Sequence, residues 1–177
     1  MVRSKAVADQ PVTFNVKPIG VVHSPFRETQ GTPIQPVYAG DTQFEVELSP
    51  EYTNGLKDLT GFERIWLICW LHRAAASRLL VTPFRDLTER GLFATRAPCR
   101  PVPIGLSCVR LMEIRGNVLI CSGADILDGT PLLDIKPYIP ECDAFPSSRA
   151  GWFDEPGDPR THADDRFRDT AGPNRKG

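Results

Sequence analysis

Residues 104–122 read Ile-Gly-Leu-Ser-Cys-Val-Arg-Leu-Met-Glu-Ile-Arg-Gly-Asn-Val-Leu-Ile-Cys-Ser. Two β-rich runs, 104–114 and 118–122, are split by Arg115-Gly116-Asn117, which has the chemistry of a hairpin turn. Working outward, Ile65–Leu71 is almost entirely apolar and reads as a strand covered on both faces. Gln43–Leu48 alternates Phe44, Val46 and Leu48 against Gln43, Glu45 and Glu47, the pattern of a half-buried strand. Phe14–Val22 supplies a first strand, and Leu132–Ile139 a short last one with Pro137 near an edge. Ser49-Pro50-Glu51 is a helix start: a capping hydroxyl, proline at the first helical position, then an acid near the positive dipole end. Its turn or two stops near Gly55 or Gly61. No long stretch keeps a 3.6-residue period, and no strand–G-x-G-x-x-G–helix unit occurs, so a Rossmann architecture is not expected. The expectation is an all-β or β-rich closed barrel with long loops and one short helix.

A chain of 177 residues is one domain's length and can bury a working core. Its net charge of −1 gives no global basic field toward nucleic acid. Locally the balance differs: five arginines lie between Arg90 and Arg115 against the single acid Glu113. That set suits phosphates, and it equally suits a soluble strand rim. The five cysteines are an odd number without a C-x-x-C pair, and Cys69, Cys108 and Cys121 sit in apolar runs as small hydrophobes. Neither a disulfide framework nor a metal site is expected. No apolar run nears a membrane span and no signal-peptide core is present, so a soluble, cytoplasmic protein is expected.

Between the strands lie irregular segments. Residues 24–40 carry Pro25, Pro33, Pro36, Gly31 and Gly40, and a loop of such length is usually functional or disordered. Residues 91–107 hold Arg96 and Arg100 among Pro98, Pro101 and Pro103, a shaped loop that is neither helix nor central strand. A loop that stiff loses little entropy on binding. Residues 1–13 are expected to form a flexible N-terminus and 14–145 the barrel domain. Residues 146–177 hold four prolines and four glycines with few aliphatics, and are expected to form a flexible tail whose docking point is Trp152-Phe153.

Four stretches carry a family resemblance. They are Ile19-Gly20-Val-Val-His23-Ser24-Pro25-Phe26 with Gln35-Pro36; Leu59-Thr-Gly61-Phe62-Glu-Arg-Ile65-Trp66-Leu67 running to His72; residues 91–107; and Asp125-Ile-Leu-Asp128-Gly129-Thr130-Pro131-Leu-Leu-Asp134-Ile-Lys136-Pro137-Tyr138. In order and spacing, across about residues 14–145, they resemble the TrmO-like (TsaA/YaeB-like) family of S-adenosylmethionine-dependent tRNA adenine-N6-methyltransferases. The resemblance implies a single-sheet β-barrel that works as a homodimer and binds its cofactor, S-adenosyl-L-methionine, outside the Rossmann scheme. It implies a tRNA substrate, methylated on N6 of the threonylcarbamoylated adenosine just 3′ of the anticodon.

The resemblance also implies cofactor contacts at Gln35, Pro36, Val37 and Tyr38, at His72 and Arg73, at Arg96, at Leu106, and at Asp128, Gly129, Thr130, Pro131 and Leu132. An arginine such as Arg96 suits a carboxylate or phosphate through its fork. A Gly-Thr-Pro turn exposes backbone groups to a nucleoside, and it is turn chemistry in any protein. Arg100, Arg110 and Lys136 are the candidates for contact with RNA. Asp134, Lys136 and Tyr138 share one face of an extended segment. They suit a proton-accepting site or a surface ion pair beside a tyrosine; Asp134, Tyr138 and His72 are the candidate catalytic groups.

Two departures stand out. The family commonly reads R-P-N-P-I-G where this chain has Arg100-Pro101-Val102-Pro103-Ile104-Gly105, and valine cannot replace an amide's hydrogen bonds. Arg73 stands where another member can have a neutral polar residue. Several longer members carry a small C-terminal domain that this chain is too short to include. These differences keep two other readings open: a methyltransferase of the same barrel with a different, small-molecule acceptor, and a non-catalytic module that binds cofactor or RNA.

Overall fold

The computed structural model describes residues 13–155 and 157–168. Six antiparallel strands close into a barrel: β1 (Gly20–His23), β2 (Gln43–Leu48), β3 (Arg64–Trp70), β6 (Ile104–Arg115), β7 (Val118–Ser122) and β8 (Thr130–Pro137). Around the barrel the order is β1-β2-β7-β6-β3-β8, and β4 (Leu80–Val81) with β5 (Arg90–Gly91) forms a separate two-stranded ribbon. Closure removes every edge of the main sheet, which an all-β chain otherwise leaves open to foreign pairing.

Alternation decides which side chains fill the lumen. Phe44, Val46 and Leu48 of β2 point inward, and Ile65, Leu67 and Cys69 of β3 do the same. With Val22, Val109, Leu119 and Leu132 they form one continuous core. Only the inward face of β3 is fully buried; Trp66, Ile68 and Trp70 on its outer face are half-buried, so one side of this apolar strand meets loops rather than a second sheet. The β6–β7 hairpin turns at Gly116 (φ +62°) and Asn117, between the paired Arg115 and Val118. Positive φ at the first central residue is what glycine permits there.

Two irregularities re-aim side chains. On β6 the register slips between Leu111 and Glu113, and on β8 it slips between the partners of Ile68 and Cys69, leaving Leu133 as the extra residue. The second bulge matters for the site. Before it, Thr130 and Leu132 face the core; after it, Asp134 and Lys136 face outward and form an ion pair of 2.8 Å.

Local expectations shift in detail. The first strand covers Gly20–His23 rather than Phe14–Val22, because only there does the chain find β2 and β8 on its two sides. The start at Ser49-Pro50 forms as 3₁₀ turns over Pro50–Leu56 with no side-chain cap, while the α-helix among the described residues is Pro140–Asp143 (α1). The segment 98–103 is neither helix nor strand.

The loop layer between β3 and β6 has its own small core: Ala75, Val81, Leu92, Ala97, Cys99 and Phe167, with Phe84 against it. Phe167 comes from the C-terminal segment, where composition predicts a flexible tail. Within that segment residues 157–168 lie against the body, whereas Pro156 and residues 169–177 fall outside the described residues, as do residues 1–12 of the expected N-terminal arm. The backbone supplies the docking that aliphatic side chains do not: Gly31 N–H donates to Ala163 O, Ile34 N–H to Thr161 O, and Ala163 N–H to Thr32 O. Arg166 donates to Pro83 O, and Trp152 Nε1 donates to Ala94 O at 2.7 Å.

Candidate functional site

Two connected cavities lie between the barrel wall and the loop layer. The larger has a volume of about 1060 Å³ and rests on the outward side chains of β3 and β6, Arg64, Trp66, Leu106, Cys108 and Arg110. The smaller, about 390 Å³, reaches the inward side of the same strands at Cys69 and Ser107, and its opposite wall comes from residues 29–35, 71–74 and 95–100. Gln35, Thr95, Arg96, Ala97 and Leu106 line both, so the two open onto each other there.

Arg96 is the hinge of this arrangement. Its guanidinium donates to the Gln35 side-chain carbonyl, which ties the 24–40 loop to the proline-rich loop. The rest of its fork has no partner among the described residues and can take an anion. Arg100 is engaged by its own loop, donating to Thr95 O at 3.0 Å, and stacks 5.6 Å from the Phe93 ring. Arg73 donates to Arg27 O and pairs with Glu28 at 3.1 Å, so its charge is answered within the 24–40 loop. His72 lines the smaller cavity, and partial burial followed by the charge of Arg73 lowers its pKa below the usual value. Neutral imidazole, able to accept a proton, is therefore favoured at neutral pH.

The larger cavity is aromatic and basic. Tyr38 accepts a hydrogen bond from Arg85 at 2.8 Å, Arg85 stacks 4.6 Å from the Phe153 ring, and Trp66 meets Tyr138 edge-on at 5.8 Å. Trp66 Nε1 donates to Asp143 of α1 at 3.2 Å, which fixes the indole on the wall.

The residues singled out from sequence divide as follows. Gln35, Pro36, Val37 and Tyr38 line the larger cavity, as do Arg110 and Tyr138; His72, Arg73, Arg100 and Thr130 line the smaller. Asp128, Gly129, Pro131 and Leu132 line neither. Leu132 is fully buried in the barrel, and Asp128 accepts from Ser24 N–H at 3.1 Å, anchoring the loop. Gly129 has φ +75° and exposes nothing to either cavity, and Pro131 sits in the β1–β8 ladder opposite Val21. Asp134 and Lys136 pair with each other on the outer wall, away from both cavities. Val102 is exposed and also lines neither, so the departure from asparagine leaves the cavity walls unchanged.

Several residues of the cavity walls were not singled out from sequence, among them Arg64, Trp66, Arg85 and Asp125. Asp125 lines the smaller cavity, and its Oδ1 is sealed from solvent without a hydrogen-bond partner among the described residues. Burial pushes its carboxyl up to about 7, opposed by the Ser107 hydroxyl, its own backbone and the charge of Arg96. The sequence signal was present, since Asp125 opens the Asp-x-x-Asp-Gly-Thr-Pro stretch, but it is indistinguishable there from turn chemistry.

An acid and an arginine whose donors and acceptors are not all partnered among the described residues, over an apolar floor in a cavity of this size, suit a small amphiphilic zwitterion. Among the described residues no group of three or more His, Cys, Asp or Glu side chains is placed to hold a metal ion. No helix among them is long and apolar enough to cross a membrane.

Comparison with known proteins gives a consistent set. The tRNA-methyltransferase O N-terminal domain matches residues 21–144. A protein of Pyrococcus abyssi, described as a probable S-adenosyl-L-methionine-binding protein, is 50% identical over 145 residues, covering 82% of this chain and 79% of its own length. The tRNA (adenine(37)-N6)-methyltransferase of Escherichia coli is 33% identical over 150 residues, covering 79% of this chain and 64% of its own length. The crystal structure of TrmO from Pseudomonas aeruginosa superposes with a TM-score of 0.71 at 38% identity, over 84% of this chain and 65% of that one. This chain thus spans just under two thirds of the enzyme of known structure.

Proposed function

This chain belongs to the tRNA-methyltransferase O family, and on that premise we propose that it methylates N6 of the threonylcarbamoylated adenosine beside the anticodon of tRNA, using S-adenosyl-L-methionine. The observation that carries the reading is the junction of two chemically different cavities at Gln35, Thr95, Arg96 and Leu106. A transfer reaction needs donor and acceptor in separate pockets that meet at one point.

The smaller cavity supports a donor site: Arg96 would hold a carboxylate, and Leu106 with Leu127 supplies apolar contact. The larger supports an acceptor site. Single-stranded RNA is recognised by bases splayed onto aromatic or guanidinium planes, with arginines against phosphates. Trp66, Tyr38 and Tyr138 beside Arg64, Arg85 and Arg110 supply both. S-adenosyl-L-methionine, when bound, supplies an electrophilic methyl group on a positively charged sulfur. The protein's own part is to hold the acceptor nitrogen in line and to receive its proton. N6 of the modified base is a urea-type nitrogen with a delocalised lone pair, so a positioned acceptor for that proton lowers the barrier. Of the three candidate acceptors, Tyr138 lines the larger cavity and His72 the smaller, where the lowered pKa of its imidazole leaves a nitrogen able to accept a proton. Asp134, bound to Lys136 on the outer wall, is poorly placed for the role.

The test is to incubate the protein with isotope-labelled S-adenosyl-L-methionine and tRNA with or without the threonylcarbamoyl group, then identify labelled nucleosides by mass spectrometry. Label is expected on the modified adenosine alone, and Arg96→Ala should abolish it. No label on modified tRNA by protein that still binds the cofactor would refute the tRNA reading and direct the search to small acceptors.

A further inference from the structure

Asp125 stands in a loop that its neighbours already fix. The loop it stands in, residues 123–129, is fixed by Gly123 N–H to Thr42 O, Asp128 N–H to Phe26 O and Gly129 N–H to Val22 O. The Ser24 hydroxyl donates to Ile126 O, and Asp128 accepts from Ser24 N–H. A carboxyl with a sealed, unpartnered oxygen costs folding free energy. Asparagine or serine would serve a turn at lower cost. The residue as a whole is half-buried and lines the cavity, so a cation seated there would offset the cost of its charge.

We propose that Asp125 receives the α-ammonium group of the cofactor's methionine end, while Arg96 on the same cavity takes the α-carboxylate. This rests on the cofactor reading above and extends it to the division of charges within the donor site. An amino-acid end carries one charge of each sign on adjacent atoms. Arg96 and Asp125 line the same cavity, so one molecule seated there can meet both. The ammonium is a better partner than the sulfonium on energetic grounds. A carboxylate at the sulfur would stabilise a charge that disappears during transfer and so hold the ground state back. The ammonium keeps its charge in substrate and product alike.

Proton release is the consequence. The groups facing Asp125 are Arg96 from the proline-rich loop, the Ser107 hydroxyl from β6 and the Cys69 thiol from β3, with His72, Arg73 and Arg100 on the remaining cavity wall. Burial, then the charge of Asp125, pushes the Cys69 thiol up to about 12, so it stays neutral. With Asp125 raised to about 7, the free protein holds most of a proton there at pH 6 and loses it as the pH rises. An ammonium seated on the carboxyl expels that proton to solvent.

Calorimetric titration of the full chain with S-adenosylhomocysteine, in buffers of different ionisation enthalpy, measures it directly. Release should approach one proton per ligand at pH 6 and fall as the pH rises above it. 5′-Methylthioadenosine, which lacks the amino-acid end, should bind with no release. Asp125→Asn should lose the release and bind S-adenosylhomocysteine about ten- to a hundred-fold more weakly, with thioadenosine affinity unchanged. Binding of S-adenosylhomocysteine by the wild type without proton release would overturn the proposal and leave the cofactor reading intact. Release with S-adenosyl-L-methionine but not with S-adenosylhomocysteine would overturn it in favour of the sulfonium. Failure of the wild type to bind any of the three would overturn both.

Discussion

Gly20 stands where the barrel is least able to yield. A Cβ built there lies 2.3 Å from Glu47 O and 3.0 Å from Leu48 Cα, both of them backbone atoms. Ordinary contact begins near 3.4 Å, so the shortfall exceeds an ångström. No rotamer change relieves it. Gly20 is paired on one side with Leu48 and on the other with Leu132, and the flanks are clamped by Ile19 N–H to Leu132 O at 2.8 Å and Ser49 N–H to Ile19 O at 2.9 Å. In an open sheet an edge strand would shift; in a closed ring the shift must be taken up by both neighbours.

Gly20→Ala should therefore cost about 3 kcal/mol, the upper end for overpacking a filled interior. For a chain of this size that lowers Tm by about 6–12 °C and moves the urea midpoint down by about 1–3 M at unchanged slope. Gly61→Ala is the control: nothing lies within 4 Å of its Cβ, and its change should stay within about 0.5 kcal/mol. Equilibrium urea unfolding, followed by tryptophan fluorescence, compares the two. Gly20 lines neither cavity, so the folded fraction of Gly20→Ala should still bind S-adenosylhomocysteine. A Gly20→Ala midpoint equal to that of Gly61→Ala would refute the argument that closure makes β1 rigid.

Gly105→Ala should behave oppositely, because its Cβ meets only the end of the Leu71 side chain, at 2.7 Å. Leu71 turns into the smaller cavity, and cofactor affinity should fall about ten-fold by calorimetry with Tm nearly unchanged. Phe167→Ala should cost about 3–5 kcal/mol locally by emptying the loop-layer core. Hydrogen exchange should rise across residues 80–100 while the β3–β6 ladder keeps its protection, and equal loss in both would contradict the separate-core reading. Asp125 also sets a pH dependence of stability. Its folded pKa, about 7, lies above the unfolded value, so the folded state binds the extra proton and stability contributed by this group is lost as pH rises from about 4 to about 7. Asp125→Asn should gain on the wild type by up to about 1.4 kcal/mol per pH unit across that window and stay level above it, measured by urea unfolding at several pH values.

The barrel was legible because its strands announce themselves by period-2 alternation and turn residues. Phe44, Val46 and Leu48 needed only the pleat to be placed in the core. The α-helix was not legible, since Pro140–Asp143 is a single turn and carries no periodicity. Ser49-Pro50-Glu51 has every local mark of a helix start, but so few residues follow before Lys57 leaves helical backbone that 3₁₀ bonding suffices. Among the site residues, those on loops with a charged or amide head, Gln35, His72 and Arg96, came to the cavities. Of those on β8, Thr130 lines the smaller cavity while Pro131, Leu132, Asp134 and Lys136 line neither, and one bulge at Leu133 decides which neighbours face the core and which face solvent. Nothing local marks a bulge in Pro-Leu-Leu-Asp. Asp125 was hidden for another reason: burial is a property of what surrounds a carboxyl, and its cover comes from Cys69 and Ser107, 56 and 18 residues away in sequence.

That most of the cavity space lies outside the lumen follows from how the barrel is filled. Val22, Val46, Ile65, Leu67, Val109 and Leu119 take up the middle of the interior with no exposure, and the smaller cavity reaches inward only beside Cys69, Ser107 and Thr130. A ligand must then sit against the wall, and a wall binds strongly only where something covers it. The cover here is the loop layer from 72 to 103, whose few apolar residues would not hold together alone. Phe167 completes that small core, stacking edge-on against Phe84 at 4.9 Å, and both rings line the two cavities. The C-terminal segment therefore does for the site what closure does for the sheet. It converts a set of loops into a surface stiff enough to hold Arg96 and Arg100 at fixed angles, so that binding energy is not spent on ordering the loops.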